Sequence, residues 1–147
     1  MTKKEFLRQY LDLSREIDAK LEEVSRYRAL AMKVTQTLAP DKVQCTQGNK
    51  MESIIAKLVD LEKEVDAEID RMTEIRESVE AAIANVPDSK YRTLLRHRYI
   101  SGKTWEQIAV EMHYTYRHVI RQHGIAIKAV QIVGGDRNGI METGNRI

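Results

Sequence analysis

Basic side chains recur along one predicted helix near the end of the chain, and their types suit the binding of a polyanion. Arg117, Arg121 and Lys128 share a helix face with Gly124, because their spacings of four, three and four residues follow the turns of an α-helix. Arginine donates paired hydrogen bonds to a guanine edge or a phosphate, and lysine binds phosphate as a point charge. The pattern also fits a solvated basic face on an ordinary three-helix module. We favour the first interpretation, which predicts nucleic-acid binding.

The distribution of charge singles out the same part of the chain. Residues 1–86 carry 14 Lys and Arg against 17 Asp and Glu, a net charge of −3, whereas residues 87–147 carry 10 against 5, a net charge of +5. The overall charge of +2 for 147 residues therefore averages an acidic part and a basic part. Such an asymmetry indicates two modules, one of which meets a polyanion.

Residues that suit catalysis or metal binding are sparse. His113, His118 and His123 are spaced by five residues. Two metal ligands on one helix face are usually four residues apart, so this spacing does not indicate a metal site. We interpret them as polar contacts or neighbours of phosphate. Cys45 is the only cysteine, so the sequence excludes an intramolecular disulfide and does not indicate a catalytic thiol. We expect no catalytic residue, no metal and no cofactor, and hence no enzyme.

Three short helices are predicted to position the basic face. The first covers residues 89–100 and ends before Gly102, a residue suited to a left-handed cap. Thr104 and Gln107 form a capping box that opens the second helix. After a turn at His113 and Tyr114, Thr115 caps a longer helix that runs to about Gln131. A short helix, a tight turn and a longer basic helix are the outline of a helix-turn-helix.

The same spacing divides the side chains of residues 87–132 between a core and a surface. The candidate inward residues of the first two helices are Leu94, Leu95, Tyr99, Trp105, Ile108, Ala109 and Met112. The candidate outward residues are Lys90, Arg92, Arg96 and Arg98. On the third helix, Val119, Ala126, Ile127 and Val130 lie opposite the basic face and are expected in the core.

Two long amphipathic helices are predicted before this module, over about residues 3–38 and 50–86, with a loop at Ala39–Lys50. If they fold back antiparallel, facing residues have a constant sum of residue numbers. The residue numbers sum to 88 in the pairs Phe6 with Ala82, Leu13 with Ile75, Lys20 with Glu68, and Val34 with Ile54. They sum to 89 in the pairs Tyr10 with Val79, Ile17 with Met72, Val24 with Val65, and Ala31 with Leu58. The sequence therefore predicts an all-α fold in which residues 1–86 form an antiparallel coiled-coil hairpin.

One charged residue interrupts the apolar seam of each long helix, and the two interruptions face each other at Lys20 and Glu68. As an ion pair they would fix the register of the hairpin rather than add to its stability. Alternatively, both side chains reach outward to solvent, and Leu21 and Ile69 take the inward places. The sequence leaves both arrangements open.

Residues 91–109, YRTLLRHRYISGKTWEQIA, resemble region 4 of bacterial sigma-70 factors, in which a helix ending in LRYxxG leads to (S/T)xEEIA and then to a DNA-reading helix. Residues 114–119 match the start of that helix. The whole chain is also similar to small phage and prophage proteins of Gram-positive bacteria, related to late-operon transcription regulators of the ArpU kind. Those proteins combine an N-terminal helical segment with a sigma-like helix-turn-helix.

The resemblance implies roles for particular side chains. It places Tyr116, Arg117 and Arg121 where sigma factors contact bases, and Thr104 and His118 near phosphate. We add Arg96, Lys103 and Lys128 as further phosphate contacts. Ile120 departs from the sigma pattern, which often has a basic residue at this position, but an isoleucine can contact a thymine methyl.

Two functions of different classes are expected. The first is a sequence-specific DNA-binding transcription regulator of a phage or prophage, with double-stranded DNA and RNA polymerase as partners. The second is an adaptor or inhibitor that docks on host RNA polymerase or another host complex through the hairpin; a small terminase subunit is a more distant third. A homodimer is compatible with the sequence. We expect no membrane contact, a location in the cytoplasm of a bacterial host, and a flexible tail over residues 133–147.

Overall fold

The computed structural model describes residues 1–37 and 44–132, and within these stretches it contains helices and no strand. The helices are α1 (Lys3–Thr37), α2 (Gln44–Ala84), α3 (Ser89–Tyr99), α4 (Trp105–Met112) and α5 (Tyr116–Ala129). The predicted all-α fold is confirmed. The chain divides into two compact units, one of Arg8–Glu77 and one that joins Met1–Leu7 to the chain from Ser78 onward. The predicted tail at residues 133–147 lies outside the described residues.

The unit of Arg8–Glu77 is an antiparallel helical hairpin. Leu13, Ile17, Val24, Leu61 and Val65 form its buried core, and Tyr27, Leu58, Met72 and Ile75 pack against it. This cluster brings together both members of three predicted facing pairs, Leu13 with Ile75, Ile17 with Met72 and Val24 with Val65. The predicted antiparallel pairing is therefore what the structure shows in this unit.

The predicted start of the second long helix is wrong. The sequence predicts a start near residue 50, after a loop at Ala39–Lys50, whereas α2 begins at Gln44 and residues 39–43 of the predicted loop lie outside the described residues. Gly48 lies inside the helix, where a Cβ would meet nothing within 4 Å. One glycine in a helix interior costs only about 1 kcal/mol relative to alanine, which is too little to end a helix 41 residues long.

The two charged residues of the seam meet in the structure. The Lys20 ammonium donates a hydrogen bond to a Glu68 carboxylate oxygen, and it also lies 3.8 Å from Glu64. The hydrogen bond to Glu68 raises the pKa of Lys20 above its ordinary value. Leu21 and Ile69 are 45% and 37% exposed, so the alternative in which they take the inward places is wrong. The role of the pair in setting register stays a prediction.

The second unit contains the ends of the two long helices as well as α3, α4 and α5. α1 begins with a capping box, in which Thr2 Oγ1 accepts from the Glu5 amide and Glu5 Oε2 accepts from the Thr2 amide. This capping box is not among the sequence predictions. Leu7, Val79 and Ile83 are fully buried. The last turns of α2 therefore belong to this unit, ahead of the predicted boundary at residue 86.

Candidate nucleic-acid interface

Local signals position α4 and α5 as the two helices of a helix-turn-helix. Thr104 caps α4 with the predicted capping box, in which its hydroxyl accepts from the Gln107 amide and the Gln107 side chain accepts from the Thr104 amide. His113 ends α4 in the left-handed conformation, with φ of 57°. Thr115 then caps α5 by accepting from the His118 amide at 3.2 Å. The predicted caps and turn are confirmed.

The apolar residues of the three helices form one core, which orients α5. Leu94, Ile108, Ala109 and Val119 are buried together, and Trp105, Met112 and Tyr114 pack against them. Val119, Ala126 and Val130 are buried, as predicted, while Ile127 is half-buried. α5 therefore presents a fixed face to solvent.

That outer face carries the predicted base-reading residues. Tyr116 is half exposed, and Arg117 and Arg121 are exposed one turn apart. Ile120 lies between the two arginines and is 40% exposed. Gly124 continues the face, and a Cβ there would meet nothing within 4 Å. The surface thus combines two arginine forks with an aromatic ring and an aliphatic side chain. Such a set can form hydrogen bonds to base edges and apolar contacts with thymine methyls.

The predicted phosphate residues lie in different environments. Arg96 on α3 and Lys128 on α5 are exposed. Thr104 is exposed, with its hydroxyl oxygen engaged in the cap of α4. His118 is half-buried, and its ring packs edge-on against Tyr114 with a centroid distance of 4.5 Å. Since α4 and α5 pack on one core, these groups are held by the same framework as the base-reading residues.

Lys103, the fifth predicted phosphate residue, is part of a charged cluster. Its ammonium lies 2.5 Å from a Glu111 carboxylate oxygen and 3.0 Å from His97 Nδ1. The hydrogen bond from Lys103 lowers the pKa of Glu111. The cluster links the turn before α4 to the last turn of α4, so this lysine is positioned by a carboxylate in the free protein.

Two of the four arginines and lysines predicted to point outward from α3 instead bind backbone. The Arg92 guanidinium donates to the carbonyl oxygens of Val86 and Pro87 at 2.7 and 2.8 Å. Arg98 donates to the Lys103 carbonyl oxygen at 3.0 Å, and its guanidinium lies 4.1 Å from the centroid of the Trp105 ring. Both are half-buried, so the outward assignment of Arg92 and Arg98 is wrong. Guanidinium groups satisfy carbonyls at these corners, where helix hydrogen bonding ends.

Of the two roles expected for the histidines, polar contact or neighbour of phosphate, His123 has the first, and it lies in the core. His123 is only 6% exposed, and its Nε2 lies 2.7 Å from the hydroxyl of Tyr99, which is itself buried. The Trp105 ring meets the imidazole edge-on with a centroid distance of 4.6 Å. His123 lies four residues after Val119 and three before Ala126, so the helical spacing of these core residues could have identified it as buried.

The part of the chain that the structure describes contains no group of three or more His, Cys, Asp and Glu side chains placed to hold a metal ion. Across residues 1–37 and 44–132, no helix combines the length and apolar character needed to cross a membrane.

The fold and the site define an all-α protein in which a helical hairpin is joined to a helix-turn-helix with an exposed basic face. Residues 6–131 match the family described as "Protein of unknown function (DUF722)", and the chain belongs to that family. No curated protein and no solved structure matches the chain.

Proposed function

We propose that this protein is a sequence-specific DNA-binding transcription regulator of a phage or prophage, and that α5 reads the major groove of double-stranded DNA. The observation that carries the proposal is the outer face of α5, where Arg117, Arg121, Tyr116 and Ile120 are exposed together near the start of the helix. Recognition helices contact base edges with their N-terminal residues, while side chains elsewhere grip phosphate. The resemblance to sigma-70 region 4 supports the same assignment.

The charge balance supports a nucleic acid as the ligand. The net charge of +5 over residues 87–147 opposes the net charge of −3 over residues 1–86, so the basic part is distinct in sequence from the acidic hairpin. Neutralised phosphates release counterions, and binding should therefore weaken steeply as salt rises. The proposal implies no catalysis and a location in the cytoplasm of the bacterial host.

Selection of bound fragments from random DNA tests the proposal directly. We expect an enriched sequence to which the protein binds more tightly than to a scrambled one. Arg117→Ala and Arg121→Ala should each weaken binding to that sequence by about 1–3 kcal/mol, or roughly 5- to 150-fold, if each arginine contacts a base. Both should have little effect on scrambled DNA, because the base contact is absent there.

Arg71→Ala is a matched control, because it removes an equal charge from an exposed site in the hairpin unit. Its affinity for the selected sequence should stay close to that of the wild type. Lys128→Ala should weaken binding to every sequence and reduce the salt dependence by about one counterion, as expected of a phosphate contact. An equal loss with Arg117→Ala on all sequences would reassign Arg117 to phosphate.

The alternative function, an adaptor or inhibitor on a host complex, predicts a different result. No sequence would be enriched from random DNA, and purified host RNA polymerase would bind the protein at fixed stoichiometry in the absence of DNA. That combination would overturn the proposal of DNA reading.

A further inference from the structure

The hairpin unit exposes most of its outward apolar side chains on one side. Among the residues of Arg8–Glu77 whose exposure the structure describes, six large hydrophobic ones are exposed, namely Leu21, Leu30, Met32, Ile55, Val59 and Ile69. Leu21 and Ile69 flank a groove between the two helices, with Ser25, Arg28, Glu62 and Asp66 as its other walls and Val24 and Val65 at its floor. Helical spacing places Met32 after Arg28 and places Val59 and Ile55 before Glu62 on the same side. We call this surface the groove side.

The opposite side of the hairpin is different in kind. By the same helical spacing it presents Glu16, Lys57, Glu64 and Arg71, all exposed, and Leu30 is its one exposed large hydrophobic residue. Five of the six exposed hydrophobic residues therefore lie on the groove side. Exposed apolar residues that cluster on one side of a protein mark an interaction surface, whereas single residues scattered over the surface are ordinary.

The same row of heptad positions is already used as core elsewhere in the chain. Leu7 lies two heptads before Leu21, and Ile83 lies two heptads after Ile69. Within the unit that joins Met1–Leu7 to the chain from Ser78 onward, both Leu7 and Ile83 are fully buried. Side chains of this row are thus part of the core in that unit. Along Arg8–Glu77, Leu21 and Ile69 occupy the equivalent positions and are exposed.

The groove side matches itself when two copies run parallel about a two-fold axis along the hairpin. In that arrangement α1 of one copy lies against α2 of the other at the same height along the hairpin axis. Arg28 and Glu62 lie at the same height, since their side chains form an ion pair 2.7 Å long within one chain. Each Arg28 would then lie opposite the partner copy's carboxylate, and Leu21 would lie opposite Ile69.

The antiparallel arrangement of two copies is less favourable. In an antiparallel dimer, the end of the groove side with Leu21 and Ile69 lies opposite the partner copy's end with Met32 and Val59. This register brings Glu62 of each copy near Asp66 of the other, which gives two such contacts. These two contacts bring carboxylates together and repel, whereas the parallel arrangement places Arg28 opposite Glu62 twice and Asp66 opposite the uncharged Ser25.

We propose that the groove side is the interface of a parallel homodimer, in which two hairpins form a four-helix bundle. Its residues span about 20 positions on each helix, or roughly 30 Å, and two helices about 10 Å wide offer roughly 600 Å² per copy. The total of roughly 1,200 Å² reaches the lower end of stable interfaces. Pairing of hairpins also resolves the thin core that two helices provide on their own. The proposal does not depend on DNA binding.

Light scattering of the full chain across a concentration series tests the interface. We expect twice the single-chain mass of 17.0 kDa for the wild type. The double variant Leu21→Lys, Ile69→Lys should fall to the single-chain mass with its helix content unchanged by circular dichroism. Leu30→Lys is the control, since Leu30 is 40% exposed on the opposite side and should leave the dimer intact. A wild type of single-chain mass, or a double variant that stays dimeric, would overturn the proposal.

Charge exchange tests the parallel arrangement separately. Arg28→Glu alone and Glu62→Arg alone each place like charges both within a chain and across the two-fold axis, so each should weaken the dimer. An equimolar mixture of the two variants restores attraction only across the interface, because positions 28 and 62 remain alike in charge within each chain. The mixture should therefore recover twice the single-chain mass. A mixture that stays at the single-chain mass would refute the parallel pairing.

Discussion

Removing one hydroxyl from the core of the helix-turn-helix unit should destabilise it measurably. Tyr99 and His123 are 2% and 6% exposed, and the Tyr99 hydroxyl lies 2.7 Å from His123 Nε2. Tyr99→Phe keeps the aromatic ring and deletes only this hydroxyl. His123 then loses its hydroxyl partner in a site from which solvent is nearly excluded.

The expected cost follows from the burial of the group that loses its partner. A buried donor or acceptor left without its partner costs about 1–3 kcal/mol, more than the net value of the hydrogen bond itself. The unfolded fraction of the unit should therefore rise by roughly 5- to 150-fold. In a His123→Leu background the same Tyr99→Phe change should cost much less, because the imidazole that the hydroxyl contacts is then absent.

Urea unfolding followed by tryptophan fluorescence is the suitable assay. Trp105 is the only tryptophan, and its ring lies 4.6 Å from the His123 ring between centroids, so the signal reports on this unit. Tyr91→Phe is the control, because Tyr91 is only half-buried. It should change the free energy of unfolding by less than about 0.5 kcal/mol.

The reasoning would be refuted if Tyr99→Phe unfolded at the same urea concentration as the wild type. It would also fail if Tyr99→Phe cost as much stability in the His123→Leu background as in the wild type. Either outcome would mean that the contact between Tyr99 and His123 does not stabilise the fold.

Four further predictions concern other parts of the molecule. A hydrogen bond from Lys103 lowers the pKa of Glu111, so this ion pair should stabilise the fold at pH values above the ordinary Glu pKa of 4.5. The stabilisation should disappear as the pH falls through the lowered pKa, and acid unfolding curves of Glu111→Gln should lack this component. Lys20→Glu should lower the melting temperature, and adding Glu68→Lys should restore it; no rescue would contradict register control. Gly124→Ala should raise stability by about 0.5–1 kcal/mol in thermal unfolding, since a Cβ there meets nothing within 4 Å; a lower melting temperature would show that the site is not open. On the selected DNA, deoxyuridine in place of a contacted thymine should weaken the wild type and leave Ile120→Ala unaffected; equal weakening of both would separate Ile120 from the methyl group.

Much of the fold could be predicted from the sequence because its signals are local. The capping box of Thr104 and Gln107 and the cap at Thr115 each depend on residues within one helical turn. Heptad spacing likewise placed Lys20 and Glu68 opposite each other, since an antiparallel pair obeys a simple sum rule. The boundary at Gln44 was missed because polar residues and one glycine obscured a helix that extends beyond its apolar pattern.

The candidate site could be predicted only in outline. The spacing of residues on α5 predicts the face that carries Arg117 and Arg121, because a helix that buries one apolar stripe exposes its opposite face. Residue type did not predict the buried position of His123 or the half-buried position of Arg98, because histidine and arginine are usually polar surface groups. Each is held by a group on another element, the Tyr99 hydroxyl for His123 and the Trp105 ring for Arg98.

The sequence by itself determined where α4 and α5 begin, which stripe of each helix is apolar, and how the hairpin pairs, because these depend on contacts a turn apart or on one repeated period. Only the tertiary structure decided which polar side chains are internal and which apolar ones are left outside. The Tyr99 hydroxyl meets His123, and Leu21 and Ile69 stay exposed, because the packing of separate helices sets these distances. Such packing depends on side chains far apart in the chain, and no short spacing encodes it.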